Sequence, residues 1–151
     1  MQDLMDLRAE YINRLETKLP EILKEDYQLE LYLINTIMGN ISAECLSKSD
    51  RFYYGISPEE VQELMKATVF QYAEYINEEH DCDDYAFELK GFFSNKLLSK
   101  YAVGWCKSNV HAFNFFIDRD LKLYIIEPQG GEIMLYSDVT DEKYNIISYI
   151  L

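Results

Sequence analysis

The apolar residues change period near residue 100, and that change limits the fold more than any other feature of the chain. Before it they recur every three to four residues, the spacing of helices with one buried stripe. Leu4, Leu7, Tyr11 and Leu15 mark a helix over 2–18, and Ile22, Leu23, Tyr27, Leu31, Ile34 and Met38 a second over 21–38. Val61, Leu64, Met65, Thr68, Tyr72 and Ile76 mark a third over 57–77, and Ala86, Leu89, Phe93 and Leu97 a fourth reaching about Ser99. From Tyr101 the spacing falls to two. Strands are expected at 101–106, 110–117, 121–127 and 133–136, with the apolar tail 144–151 as a further strand. Runs of helices followed by runs of strands predict an α+β fold: N-terminal helices, then an antiparallel β-sheet packed on the helix that carries Cys82.

Turn and cap residues divide these segments. Pro20 closes the first helix or opens the second, and Gly39-Asn40 stops the second. Residues 40–56 have no clear period and are expected as a loop. Ser57-Pro58-Glu59-Glu60 has the form of a capping box with proline at the first helical position. Asp81 is an N-cap, and Asp83 and Asp84 suit the positive end of the helix dipole. Gly130-Gly131 is a hairpin turn. With 151 residues the chain is expected as one domain, 1–151, comprising a helical N-terminal extension at 1–50 and a core at 57–151. A chain of this length buries about 70% of its unfolded surface, so it needs no disulfide to form a core.

The net charge of −13 disfavours partners held by their phosphates, so neither nucleic acid nor an anionic membrane is expected. It suits cation binding or a basic substrate. Cys45, Cys82 and Cys106 are too few and too scattered for a disulfide framework, and His80 and His111 are too few for an obvious zinc site. The acidic, amphipathic N-terminus does not read as a signal peptide, and no apolar run approaches the ~20 residues of a membrane span. A cytoplasmic, reduced protein is expected, with a homodimer through the N-terminal helices as one use for them.

Three residues could carry chemistry together. Cys82 lies four residues before Ala86, in line with the buried stripe and at the start of its helix. A loop of three or five residues around Asp118-Arg119-Asp120 keeps His111 and Glu127 on one sheet face; the shorter pairs Ile117 with Leu121 and His111 with Glu127. That face is otherwise apolar and would cover the Cys82 helix, bringing Cys82, His111 and Glu127 into one cleft. A helix start and an imidazolium both favour a thiolate, His111 would move the proton, and Glu127 would hold the ring. Each residue also has a plain structural role, as cap, core-edge thiol or surface pair. Cys45 and Cys106 read as bystander and core thiols.

Asp81-Cys82-Asp83-Asp84, His111-Ala112-Phe113-Asn114 and Glu127-Pro128-Gln129 resemble motifs of papain-like and transglutaminase-like thiol enzymes, most closely the C-terminal cysteine protease domain of the fungal chimeric agglutinins. The resemblance covers about residues 57–136. It implies a cysteine protease, a hydrolase of peptide or amide bonds with Cys82 as nucleophile, His111 as base, Glu127 as orienting acid and Gln129 helping to hold the site. It implies calcium as cofactor, with Asp81, Asp83 and Asp84 as ligands, and a protein or peptide substrate. Those thiol enzymes place a glutamine six residues before the cysteine; here that position is Ile76, with Asn77 as the nearest amide. Two alternatives stay open: a non-catalytic partner-binding or assembly protein on the same fold, and an acyl transferase of transglutaminase or amidase type.

Overall fold

The strand Ala112–Ile117 is buried at every one of its positions, so it needs cover on both faces. The rest of the chain supplies that cover. The computed structural model describes residues 2–23, 27–48, 50–66 and 81–151. In chain order the elements are α1 (Gln2–Ile22), β1 (Gln28–Glu30), α2 (Leu31–Asn40), β2 (Glu44–Ser47), β3 (Phe52–Tyr54), α3 (Pro58–Lys66), α4 (Cys82–Phe93), β4 (Val103–Lys107), β5 (Ala112–Ile117), β6 (Leu123–Ile126), β7 (Ile133–Leu135) and β8 (Ser148–Ile150), with short 3-10 turns at Tyr136–Asp138 and Glu142–Tyr144. The main sheet runs β2-β8-β4-β5-β6-β7, and β1 pairs with β3 in a small separate sheet.

One face of the main sheet gathers Cys106, Phe113, Phe115, Ile117, Leu123 and Ile125 with Ile34 and Met38 of α2. The other gathers Val103, Phe116 and Ile126 with Val61, Leu64 and Met65 of α3 and Leu89 and Phe93 of α4; Leu19 and Ile22 of α1 pack at its margin. Alternation along β5 sends Phe113, Phe115 and Ile117 one way and Ala112, Asn114 and Phe116 the other. Asn114 fixes the second layer. It is fully buried, and its Nδ2 donates to the Ala86 carbonyl of α4 at 2.9 Å and to the Gly104 carbonyl of β4 at 3.1 Å.

Local sequence accounts for the helix starts. Ser57 N–H donates to Glu60 Oε2 at 2.8 Å, and Glu60 N–H donates to Ser57 Oγ at 3.2 Å. Glu60 also takes Arg119 Nη2 at 2.6 Å, which ties α3 to the β5–β6 loop. A second capping box, Asp81 with Asp84, opens α4. Among the described residues no helix is long and apolar enough to cross a membrane.

The expected α+β order, helices first and an antiparallel sheet after them, is corrected. Strands β1, β2 and β3 lie among the N-terminal helices, and β2 pairs parallel with β8, so the body is a mixed sheet. The second expected helix does not span 21–38: Gln28–Glu30 pairs with Phe52–Tyr54, setting buried Leu29 against buried Tyr53, and α2 starts at Leu31. The expected loop 40–56 holds β2 and β3. Glu44-Cys45-Leu46-Ser47 is exposed throughout, an edge strand that carries no burial pattern for a sequence to display. Part of the third expected helix, through Thr68, Tyr72 and Ile76, lies outside the described residues, as do Asn77 and His80.

Gly104 stands opposite Phe115, and a Cβ there would run into the Phe115 ring and lie 2.6 Å from the Ile150 carbonyl oxygen. Gly104→Ala should therefore lower stability by at least about 1–3 kcal/mol, the range for overpacking a tight core. Urea unfolding followed by circular dichroism measures it; an unchanged midpoint would contradict the packing described.

Candidate functional site

Five residues, 118–122, connect β5 to β6, and the turn is built on Asp118. Its Oδ1 accepts the N–H of Asp120 and of Lys122, each at 2.9 Å, while Leu121 takes φ 61°. Ile117 therefore pairs with Leu123 rather than Leu121. A slide of two residues preserves parity, so His111 and Glu127 still share a face. They meet diagonally: His111 Nε2 lies 2.7 Å from Glu127 Oε2.

The pair is largely removed from water, with side-chain exposures of 14% and 13%. Tyr144 donates its hydroxyl to the same Oε2 at 2.9 Å, and the Gln129 backbone N–H reaches Oε1 at 3.5 Å. The His111 ring lies over Phe113 and meets Tyr144 edge-on, both at 5.7 Å between centroids. Burial by itself would raise the Glu127 carboxyl, but the hydrogen bonds from His111 and Tyr144 outweigh it and hold the group below its ordinary value. An ionised carboxylate only accepts, so Nε2 carries the proton in this pairing and Nδ1 is the nitrogen left over. Burial, then the bond to Glu127, pushes the Tyr144 hydroxyl well up, so it remains a donor throughout the physiological range.

Cys82 stands elsewhere. It is the first residue of α4, half-buried, and packs against Ala86, Trp105 and Ala112. That is the α4 face of the sheet, whereas His111 and Glu127 extend the face of Phe113 and Phe115. The expectation that α4 covers the His111 face is thus corrected: Asn114 and Phe116 take α4, and α2 covers the other side. Of the four expected site residues the structure joins His111, Glu127 and the Gln129 backbone. Cys82 packs on a cluster that includes Ala112, the residue after His111, and makes no hydrogen bond to His111.

The acidic residues around Cys82 divide. Oxygens of Asp81 and Asp83 and the Cys82 Sγ lie within 4.8 Å of one another. Asp84 turns back instead, its Oδ2 accepting the Asp81 N–H at 3.2 Å. A hydrogen bond with Asp81, then burial, raises the Asp83 carboxyl, as expected when two carboxyls share a proton. Calcium takes about six to eight oxygens. Among the described residues, two carboxylates and a soft thiol do not by themselves make that cage.

Sequence reasoning passed over Tyr144, read only as the start of the tail strand, and the groove it borders. That groove, of about 510 Å³, is lined by Met134, Leu135 and Val139 with Asp138, Asp141 and Lys143 at its polar side.

No protein-family model matches the chain, and no curated protein does. Solved structures do. A structure titled "PSL1a-E64 complex" matches at 16% identity and TM-score 0.66, over 82% of this chain and 51% of that one. A Polyporus squamosus lectin bound to the human-type influenza-binding epitope Neu5Aca2-6Galb1-4GlcNAc matches at 18% identity and TM-score 0.63, over 82% of this chain and 49% of that one. The chain shares its fold with lectin structures. It spans about half the length of each. The papain-like and transglutaminase-like fold, the resemblance to a cysteine protease domain and the reading as a cysteine peptidase are corrected on this finding, since the matching structures are of a lectin. The ligand named with the lectin is a glycan, where a protein or peptide substrate was expected.

Because Glu127 is held below its ordinary 4.5, it contributes stability that is present above about pH 4.5 and lost as pH falls through its folded value. Glu127→Gln should flatten the pH dependence of stability in that acidic window relative to wild type. Thermal unfolding of both proteins between pH 3 and 7 measures the difference, and parallel curves would contradict the assignment.

Proposed function

We propose that this chain is a carbohydrate-binding domain, with its site at the open end of the sheet where the His111–Glu127–Tyr144 hydrogen bonds meet the groove beside Tyr144. One observation carries the reading: Tyr144, whose hydroxyl shares the buried Glu127 carboxylate with His111, borders an open groove lined by apolar Met134, Leu135 and Val139 and by polar Asp138, Asp141 and Lys143. A sugar offers the same mixture, apolar ring faces and hydroxyls that both donate and accept, and pockets that bind such ligands combine apolar walls with a few placed polar groups. The fold shared with lectin structures supports the reading.

Charge narrows the ligand. Asp138 and Asp141 outnumber Lys143 in the groove, and the chain carries −13 overall. A carboxylate on the ligand meets repulsion there, so neutral sugars should bind more tightly than sialylated ones. Calorimetry with Galβ1-4GlcNAc and with Neu5Acα2-6Galβ1-4GlcNAc tests both points. The expected result is saturable binding of the neutral sugar, tighter than of the sialylated one, and weakened at least about tenfold in Asp138→Ala by loss of a hydrogen bond to a charged group. Saturable binding of neither sugar would end the reading.

A second reading rests on Cys82, half-buried at the first position of α4 on a cluster that includes Ala112. Here Cys82 is the residue that meets a ligand, on the α4 face of the sheet. E64, the compound named with PSL1a, is the probe. Its binding to wild type, read by intact-mass analysis and calorimetry, should disappear in Cys82→Ala while Cys45→Ala binds as wild type does. Equal binding by Cys82→Ala would remove Cys82 from the site.

A further inference from the structure

We propose that Tyr144 is the positioning residue of this site: its hydroxyl shares Glu127 Oε2 with His111 Nε2, fixes the carboxylate, and through it sets which nitrogen of His111 faces a ligand. The inference deepens the function proposed above and rests on that location of the site.

A carboxylate hinged at three side-chain torsions does not by itself hold a histidine in one orientation. Glu127 sits just beyond the end of β6, where the ladder no longer fixes its backbone on the β5 side. On the other side its N–H donates to the Glu132 carbonyl at 2.9 Å and its carbonyl accepts the Gly131 N–H at 2.7 Å, so the backbone is held there and the carboxylate depends on its own hydrogen bonds. The Gln129 N–H is long at 3.5 Å, so it restrains Oε1 weakly. The two short contacts, 2.7 Å from His111 and 2.9 Å from Tyr144, converge on the other oxygen. Without Tyr144 the carboxylate has one strong partner and can rotate with it. With Tyr144 it has two partners on different elements, and the rotation closes.

Tyr144 is itself well anchored. It is 6% exposed, its ring meets Phe113 edge-on at 5.2 Å, and Lys143 Nζ stands 4.7 Å over it. The 3-10 turn that presents it is pinned by the Asp141 carboxylate, which accepts the Lys143 N–H at 3.0 Å. Tyr144 thus carries the geometry of the turn at 142–144 to the end of β5. It also borders the groove, so a ligand there touches the ring whose hydroxyl fixes Glu127.

Imidazole nuclear magnetic resonance on the ligand-free chain tests this directly. In wild type the His111 Nε2 proton should be a slowly exchanging resonance with cross-relaxation to the Tyr144 hydroxyl proton, and the nitrogen shifts should report a single Nε2–H tautomer. In Tyr144→Phe, which keeps the ring, exchange of that proton should speed up about tenfold and the two tautomers should mix. Tyr136→Phe serves as control, because its hydroxyl accepts the Ile146 N–H and has no part in the Glu127 contacts. An unchanged His111 spectrum in Tyr144→Phe would overturn the proposal, as would equal acceleration in Tyr136→Phe. Should Tyr144→Phe not fold, absence of the wild-type cross-relaxation is itself enough to overturn it. No sugar or E64 enters the measurement, so its result stands apart from whether either one binds.

Discussion

The two-sided burial of β5 governs the molecule. A strand with no solvent face gains hydrophobic stabilisation from both sides, but only if two separate layers are delivered to it. α2 with the β1–β3 pair forms one layer; α3, α4 and the end of α1 form the other. The layers come from interleaved parts of the chain, so the fold is assembled from contacts distant in sequence. Asn114 is the one polar residue on that strand, and its Nδ2 bonds into both α4 and β4. Burying an amide is costly without partners, and those partners confine α4 to one height on the sheet.

The same burial explains what sequence reading could and could not recover. Helix starts were legible because capping chemistry is local: Ser57 with Glu60, and Asp81 with Asp84, need only residues three apart. The strands at the centre of the sheet were legible because they are long and apolar. The face taken by α4 was not. On β5 both faces are apolar enough to serve. Only the carbonyl oxygens of Ala86 and Gly104, supplied by distant elements, make Asn114 a core residue. Strands β1, β2 and β3 have three or four residues each, too few to show a period, and β2 shows no burial at all.

The candidate site divides along the same line. Parity kept His111 and Glu127 on one face even though the expected register was two residues off, since the Asp118 turn takes five residues and not three. Parity says nothing about the third dimension, and so Cys82 was assigned to the wrong side of the sheet. Tyr144 lay beyond reach for another reason. It lies 17 residues beyond Glu127, past β7, presented by a 3-10 turn, and no spacing rule connects a turn tyrosine to a strand-end carboxylate.

The energetics of that carboxylate bear on why it is there at all. Phe113, Ile125 and Tyr144 already form an apolar wall, and apolar residues at 111 and 127 would extend it without desolvating a charge. The chain instead buries an ionised acid in a protein of net charge −13, where the surrounding potential opposes it. Removing one partner from such a group leaves a charge that nothing else compensates, which is why His111 and Tyr144 both converge on Oε2. The bonds that make the acid tolerable also dictate the histidine: Nε2–H is committed to Glu127, and Nδ1 is the nitrogen left over.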